Sequence, residues 1–134
     1  MIKIRASVEF QGDTFSPYNA EIATGIVFTE KSEIGDVGKT GKYKGKPLPD
    51  GRASLAPPDS VVWHERVLWL IHELEGKIEE IRRCGASDIH FSVAYYYDRQ
   101  CNCDLSEEEI KGLSRLGIPY WFCVYQIDDL EEIK

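Results

Sequence analysis

Long apolar runs are missing from this chain: no window of its 134 residues approaches the roughly 18–20 consecutive apolar residues of a membrane-spanning helix. Residues 1–10, MIKIRASVEF, alternate in polarity where a secretory signal would be continuously apolar. Basic charge is also scarce. Sixteen Lys and Arg stand against 23 Asp and Glu, a formal charge of −7. That argues against nucleic acid, whose phosphates are held by clustered basic side chains. Cysteine is limited to four residues. Without an export signal these read as reduced thiols in a cytoplasm, not as a disulfide framework.

What the chain does have is ordinary for a folded domain. Apolar residues make up 43 % and charged ones 29 %. Three Trp, seven Tyr and five Phe supply large packing areas. A chain of this length can bury a core without metal or disulfide, so one domain over 1–134 is expected. The negative charge fits a basic protein partner, and it also serves solubility.

Periodicity sets out the elements. Ile2, Ile4, Ala6, Val8 and Phe10 alternate with polar residues, as in a strand with one buried face. Ser16-Pro17 starts a short helix that Gly25 can close, and IVFT at 26–29 reads as a short second strand. Residues 31–60 carry no apolar period. Gly35, Gly38, Gly41, Gly45 and Gly51 fall here with Pro47 and Pro49, so a long loop with at most a small hairpin is expected. Val67, Ile71, Leu74, Ile78 and Ile81 then recur at helical spacing, which predicts one helix over about 64–84. Glu73 with Lys77 and Glu79 with Arg83 are oriented as supporting pairs. Gly76 inside that helix costs about 1 kcal/mol relative to Ala and marks close packing.

A long alternating strand follows at 89–97, and Ser106 with Glu109 form a capping-box pattern before a helix at about 107–116. The last strand, YWFCVYQI at 120–127, is apolar on both faces and is expected to be central or covered on both sides. The tail DDLEEIK is expected to fray. This order predicts an α+β fold: a mixed or antiparallel sheet with helices mainly on one face, in a ferredoxin-like variant.

The stretch GDVGKTGKYKGK at 35–46 invites a nucleotide reading, but its spacing fails. Counting back from Gly38-Lys39-Thr40, the phosphate loop's first glycine belongs at position 33, which is Glu33. Gly41, Gly45, Pro47 and Pro49 also prevent the helix that should follow. Lys39, Lys42, Lys44 and Lys46 remain as a weaker local anion-binding candidate. Cys101 and Cys103 could offer two thiolates to zinc, but no second ligand pair stands at a recognisable spacing, so no metal or cofactor is expected. His64 and His72 are too far apart for a helical metal pair, and no nucleophile elbow occurs. No catalytic residue is singled out. Glu107, Glu108 and Glu109 favour the start of their own helix and form a candidate face for a basic partner.

Several short stretches together resemble one family. They are KIRASVEFQGDTFSP, Thr24-Gly25-Ile26, Gly35-Asp36, Trp63 before a long helix, and the ending LSEEEIKGLSRLGIPYWFCVYQID. The chain resembles the bacterial domain-of-unknown-function family 4279 over nearly its whole length. The order Val-Tyr-Gln-Ile-Asp at the end departs from the family pattern, in which the aspartate precedes the tyrosine. The resemblance implies a small α+β domain and brings no reaction, cofactor or catalytic residue. Some members look like immunity proteins of toxin systems. The resulting expectation is a non-enzymatic binding protein, of immunity type, whose partner is a basic protein such as a toxin. A small-ligand or anion binder using the Lys/Gly loop and the polar sheet face is the alternative, and a homo-oligomer stays open.

Overall fold

A computed structural model describes residues 2–133. The elements run β1 (Ile2–Gly12), α1 (Pro17–Thr24), β2 (Glu30–Ser32), β3 (Gly51–Leu55), α2 (Arg66–Leu74), α3 (Ile78–Arg83), β4 (Asp88–Tyr97), α4 (Glu107–Leu116) and β5 (Tyr120–Gln126), with short 3-10 turns between. The strands are ordered β2-β3-β1-β4-β5. β2 and β3 pair antiparallel, whereas β4 and β5 pair parallel, so the sheet is mixed and the class is α+β. Up to β4 the elements follow the β-α-β-β-α-β sequence of ferredoxin-like folds, with α2 and α3 together in the place of the second helix. β3 lies between β1 and β2, the split arrangement of that fold. α4 then carries the chain to β5, since a parallel neighbour requires a crossover.

The chain forms two compact units, each assembled from separate segments. One comprises Glu9–Leu55 and Gly76–Ile89. Its core holds the rings of Phe10, Phe15 and Phe28, with Phe10 and Phe28 centroids 5.2 Å apart. Ser16 caps α1 by accepting the Asn19 amide, and its own amide donates to the Cys84 carbonyl. Gly85 allows this closeness: its φ is +104°, and a Cβ there would stand 2.3 Å from the Thr14 carbonyl oxygen. Buried Asp50 accepts from Gln11 Nε2 at 2.6 Å and Arg52 Nε at 2.7 Å. Glu21 accepts from Lys31 and from the Phe28 amide.

The other unit comprises the chain through Val8, Ala56–Glu75, and His90 onward. Here Val67, Leu70, Ile71 and Leu74 of α2 are buried, as are Phe91, Val93 and Tyr95 of β4 and Leu116 of α4. α2 packs on α4. Gly112 makes that approach feasible, because a Cβ in its place would lie 2.6 Å from Ile71 Cγ2. Ser106 and Glu109 close a reciprocal capping box at the start of α4.

Several sequence expectations need correction. The second strand starts at Glu30, after IVFT, where Ile26 and Phe28 are buried in non-strand chain. The loop expected over 31–60 contains β3, whose Gly51, Ala53 and Leu55 are buried in strict alternation. The helix expected over 64–84 is broken: Gly76 adopts φ +75° between α2 and α3, so it ends one helix instead of packing inside a longer one. Glu79 pairs with Arg82 rather than Arg83, and Arg83 pairs with Glu80. The tail forms a 3-10 turn at Leu130–Glu132, with Leu130 buried and the Ile133 carbonyl accepting from Lys3 Nζ at 3.1 Å. The largest difference concerns β5, which is an exposed edge strand and not a covered one.

Candidate functional site

β5 reads Tyr-Trp-Phe-Cys-Val-Tyr-Gln and carries no charged residue. β-branched and aromatic residues favour extended chain, and Pro119 just before it separates it from α4. Its register on β4 runs from Phe91↔Tyr120 to Tyr97↔Gln126. β5 lies at the end of the strand order, so among the described residues one long side of its backbone has no neighbouring strand. Trp121 is 56 % exposed, Phe122 53 %, Val124 44 % and Tyr125 47 %.

Which backbone groups face outward follows from two hydrogen bonds. The Phe91 amide donates to the Pro119 carbonyl, and the Ile127 amide donates to the Tyr97 carbonyl. In a strand, each residue's N–H and C=O point the same way and successive residues alternate. Odd-numbered residues of β5 therefore face β4, and Tyr120, Phe122, Val124 and Gln126 point their backbone groups away from it.

The two faces of β5 are anchored differently. On one, Trp121 stacks on His90 at 3.7 Å, and Tyr125 stacks on Tyr96 at 5.3 Å, with the Arg5 guanidinium 5.6 Å from the Tyr96 ring. On the other, the Tyr120 and Tyr95 hydroxyls share a 2.6 Å hydrogen bond, and Phe122 meets Tyr95 edge-on at 5.9 Å. Burial pushes both phenols up from their ordinary range, and for Tyr120 the bond to Tyr95 adds to it. These hydroxyls stay neutral and serve as a hydrogen-bonded clamp at the root of β5.

Beside the first face runs a groove of 480 Å³, lined among others by Arg5, Ser7, Asp59, Arg66, Tyr96 and Tyr125. Arg66 is 8 % exposed. Its guanidinium lies 3.9 Å from the Trp63 ring and donates through Nε to the Val61 carbonyl and through Nη2 to that of Asp59. Arg66 makes no ion pair among the described residues; the charge of Asp59 favours its ionised form and that of Arg5 opposes it. Its hydrogen-bond acceptors are neutral carbonyls and Asp59 attracts it only through space, so a buried cation here gains from a further anion beside it.

The residues singled out by sequence lie elsewhere and are not brought together. Glu109 is used in the capping box, Glu107 pairs with Lys111 at 2.7 Å, and Glu108 lies 3.6 Å from His72. Lys39, Lys42, Lys44 and Lys46 are exposed on the loop between β2 and β3. The amides of Gly38, Lys44, Gly45 and Lys46 there donate to carbonyls of the same loop, and only a three-residue 3-10 turn follows Thr40. Those four amides are therefore engaged within the loop and not presented to an anion. Lys42 lies over Tyr43 at 5.6 Å.

Cys101 and Cys103 bring their Sγ atoms within 3.2 Å. Partial desolvation, the hydrogen bond with Cys101 and the charges of Cys101 and Asp104 push the Cys103 thiol up to about 11. Among the described residues no three His, Cys, Asp or Glu side chains gather to hold a metal ion, and no helix is long and apolar enough to cross a membrane.

Sequence reasoning missed β5 as a site although its signal was present, in the two apolar faces of YWFCVYQI. Nothing in the sequence pointed to Arg66. Comparison with known proteins finds no family, curated protein or solved structure that matches this chain.

Proposed function

We propose that this protein acts by binding and not by catalysis, and that its working surface is the open edge of β5. The observation that carries this reading is a seven-residue edge strand without charge, in a chain of net charge −7, with four large side chains about half exposed. Such an edge offers unpaired amides and carbonyls to an extended segment of another polypeptide, while alternate side chains supply specificity. The concrete version, which rests on the resemblance to family 4279, is a cytoplasmic bacterial immunity-type protein that takes a strand of a toxin. The acidic residues Glu107 and Glu108 favour a basic partner by steering its approach. Hydrogen exchange with a candidate toxin tests the reading. The amides of Tyr120, Phe122, Val124 and Gln126 should slow on binding. A tight complex that leaves all of them fast would exclude the β5 edge.

A second reading is favoured by Arg66. Its buried guanidinium, beside Arg5 and the Tyr96–Tyr125 stack, suits the oxyanion of a small aromatic ligand. Calorimetry with aryl carboxylates and aryl phosphates tests it. Heat that is saturable and lost in Arg66→Met supports a ligand groove, and no heat from either class removes it.

A further inference from the structure

We infer that, when no other polypeptide occupies it, the open edge of β5 pairs with β5 of a second copy of this chain, antiparallel about a two-fold axis at Cys123. This deepens the reading of β5 as an open binding edge and rests on it. A two-fold dimer places one surface against itself, so the surface must be self-complementary. For a strand, self-pairing requires a register in which the outward backbone groups of each copy meet those of the other.

The register follows from the parity of the strand. Tyr120, Phe122, Val124 and Gln126 point their N–H and C=O outward. Centring the pair on Cys123 uses the whole strand. Tyr120 then lies opposite Gln126 of the second copy, and Phe122 opposite Val124, in both directions. Each of these outward N–H groups meets a carbonyl. Trp121 faces Tyr125 of the other copy in a non-hydrogen-bonded pair, where side chains come closest. Aromatic–aromatic and aromatic–β-branched pairs are among the favourable cross-strand combinations. Shifting the centre to Val124 would set Asp128 against Tyr120, and shifting it to Phe122 would leave Gln126 outside the strand pairing.

Charge restricts a second copy to this seam. Two chains of net charge −7 repel each other at most orientations. β5 contains no charge, and in the Cys123 register the first acidic residues beyond it, Asp128 and Asp129, lie opposite Ile118 and Gly117. The acidic tail therefore does not meet itself across the seam. The size of the seam predicts a weak dimer. An aromatic side chain buries roughly 150–250 Å², and half of that remains open on Trp121, Phe122 and Tyr125, so pairing covers at most on the order of 300 Å² of aromatic surface per copy. Stable interfaces usually bury about 1,200–2,000 Å² in total, so association in the micromolar range is expected.

The register places Cys123 against Cys123. Non-hydrogen-bonded pairs have Cα atoms about 4.5 Å apart, at the short end of the range a disulfide spans. In a Cys101→Ser/Cys103→Ser chain, diamide should join the copies through Cys123. One S–S bond forms, and the two thiol protons and two electrons pass to the azo bond of diamide, which becomes a hydrazine. Sedimentation should show monomer–dimer exchange in the native chain, and Val124→Lys should weaken association by more than about tenfold. The crosslink should fall to background in Cys123→Ser and in Val124→Lys. A native chain that is monomeric throughout and gives no Cys123 link overturns the second copy. So does a dimer that Val124→Lys leaves intact. Amide exchange in such a monomer separates the two readings. Fast exchange at Phe122 and Val124 would leave the edge open to another protein and sink only the second copy, whereas slow exchange would sink the edge reading with it.

Discussion

The sheet has two edges, and they are built on opposite plans. β2 is three residues long, Glu-Lys-Ser, and two of the three carry charge. β5 is seven residues long, four of them aromatic (Tyr120, Trp121, Phe122 and Tyr125), and it has no charge. Short length and edge lysines are the ordinary means of preventing unwanted strand pairing. The chain thus guards one edge and leaves the other bare. The open β5 edge is therefore not a general tolerance of the fold, and the binding role proposed for β5 rests on that contrast.

The largest effect should come from contrasting an aromatic residue of the central strand β1 with one of the open edge strand β5. Phe10, 1 % exposed and packed on Phe28, should cost about 3–5 kcal/mol when replaced by Ala. Phe122→Ala should cost only about 1 kcal/mol, the worth of its edge-on contact with Tyr95. Chemical denaturation of the two variants, held below the concentration at which copies associate, measures both. Equal losses would mean that the β5 rings serve folding, and the contrast between the edges would collapse.

Acid should loosen the guarded side first. Burial works against ionisation of Asp50, but the hydrogen bonds from Arg52 and Gln11 outweigh it and hold its carboxyl below the usual range. Glu21 is likewise held low, burial being outweighed by Lys31 and the Phe28 amide. A depressed carboxyl stabilises the fold above its unfolded value and loses that contribution as pH falls through the folded value. Asp50→Ala should therefore destabilise by about 1–3 kcal/mol at neutral pH, and the deficit should shrink as pH falls below about 4. Hydrogen exchange should show the Thr29 amide, bonded to Ser54, opening in acid before the Phe91 amide, bonded to Pro119. The reverse order would contradict this account.

Base should act at the other end of the sheet. The Tyr95 and Tyr120 phenols are both pushed up, so their contribution is present below about 10, the unfolded value, and is lost as pH rises beyond it. Tyr95→Phe should cost about 1 kcal/mol at pH 7 and should blunt the alkaline loss of stability. An alkaline unfolding curve identical to that of the native chain would remove the hydroxyl pair as the clamp at the root of β5.

The same two edges show what sequence can and cannot carry. β1, β4 and the capped start of α4 were legible because period-two alternation and the Ser106–Glu109 pattern act locally. Gly76 was visible as a glycine, but whether it packs inside a helix or ends one depends on the neighbours that turn the chain. β3 escaped because Gly51-Arg52-Ala53-Ser54-Leu55 is short and small, with weak alternation inside a stretch rich in Gly and Pro. For β5 the apolar pattern was read correctly and its burial was not. Two apolar faces describe a strand that needs cover, and the sequence does not say whether the cover lies within one chain. Arg66 drew no notice because a lone arginine at a helix start has no pattern; only folding sets Trp63 and the carbonyls of Asp59 and Val61 around it.

The smallest effect concerns the acidic start of α4, and it tests whether recognition belongs to charge or to the strand edge. Glu107 and Glu108 are exposed, and their partners Lys111 and His72 are exposed too. Such surface pairs contribute roughly 0–1 kcal/mol each, so Glu107→Lys with Glu108→Lys should lower stability only slightly, chiefly through the dipole of α4. If β5 is the working surface, the double variant should keep the hydrogen-exchange protection of the Phe122 and Val124 amides in a complex. With a basic partner its association should slow, and added salt should slow the native chain in the same way, because steering acts on the encounter and not on the docked strands. The dissociation rate should hardly change. Stopped-flow measurement at low and high salt separates the two contributions. A dissociation rate that rises steeply in the double variant would place Glu107 and Glu108 inside the docked interface, and the bare edge of β5 would no longer account for recognition alone.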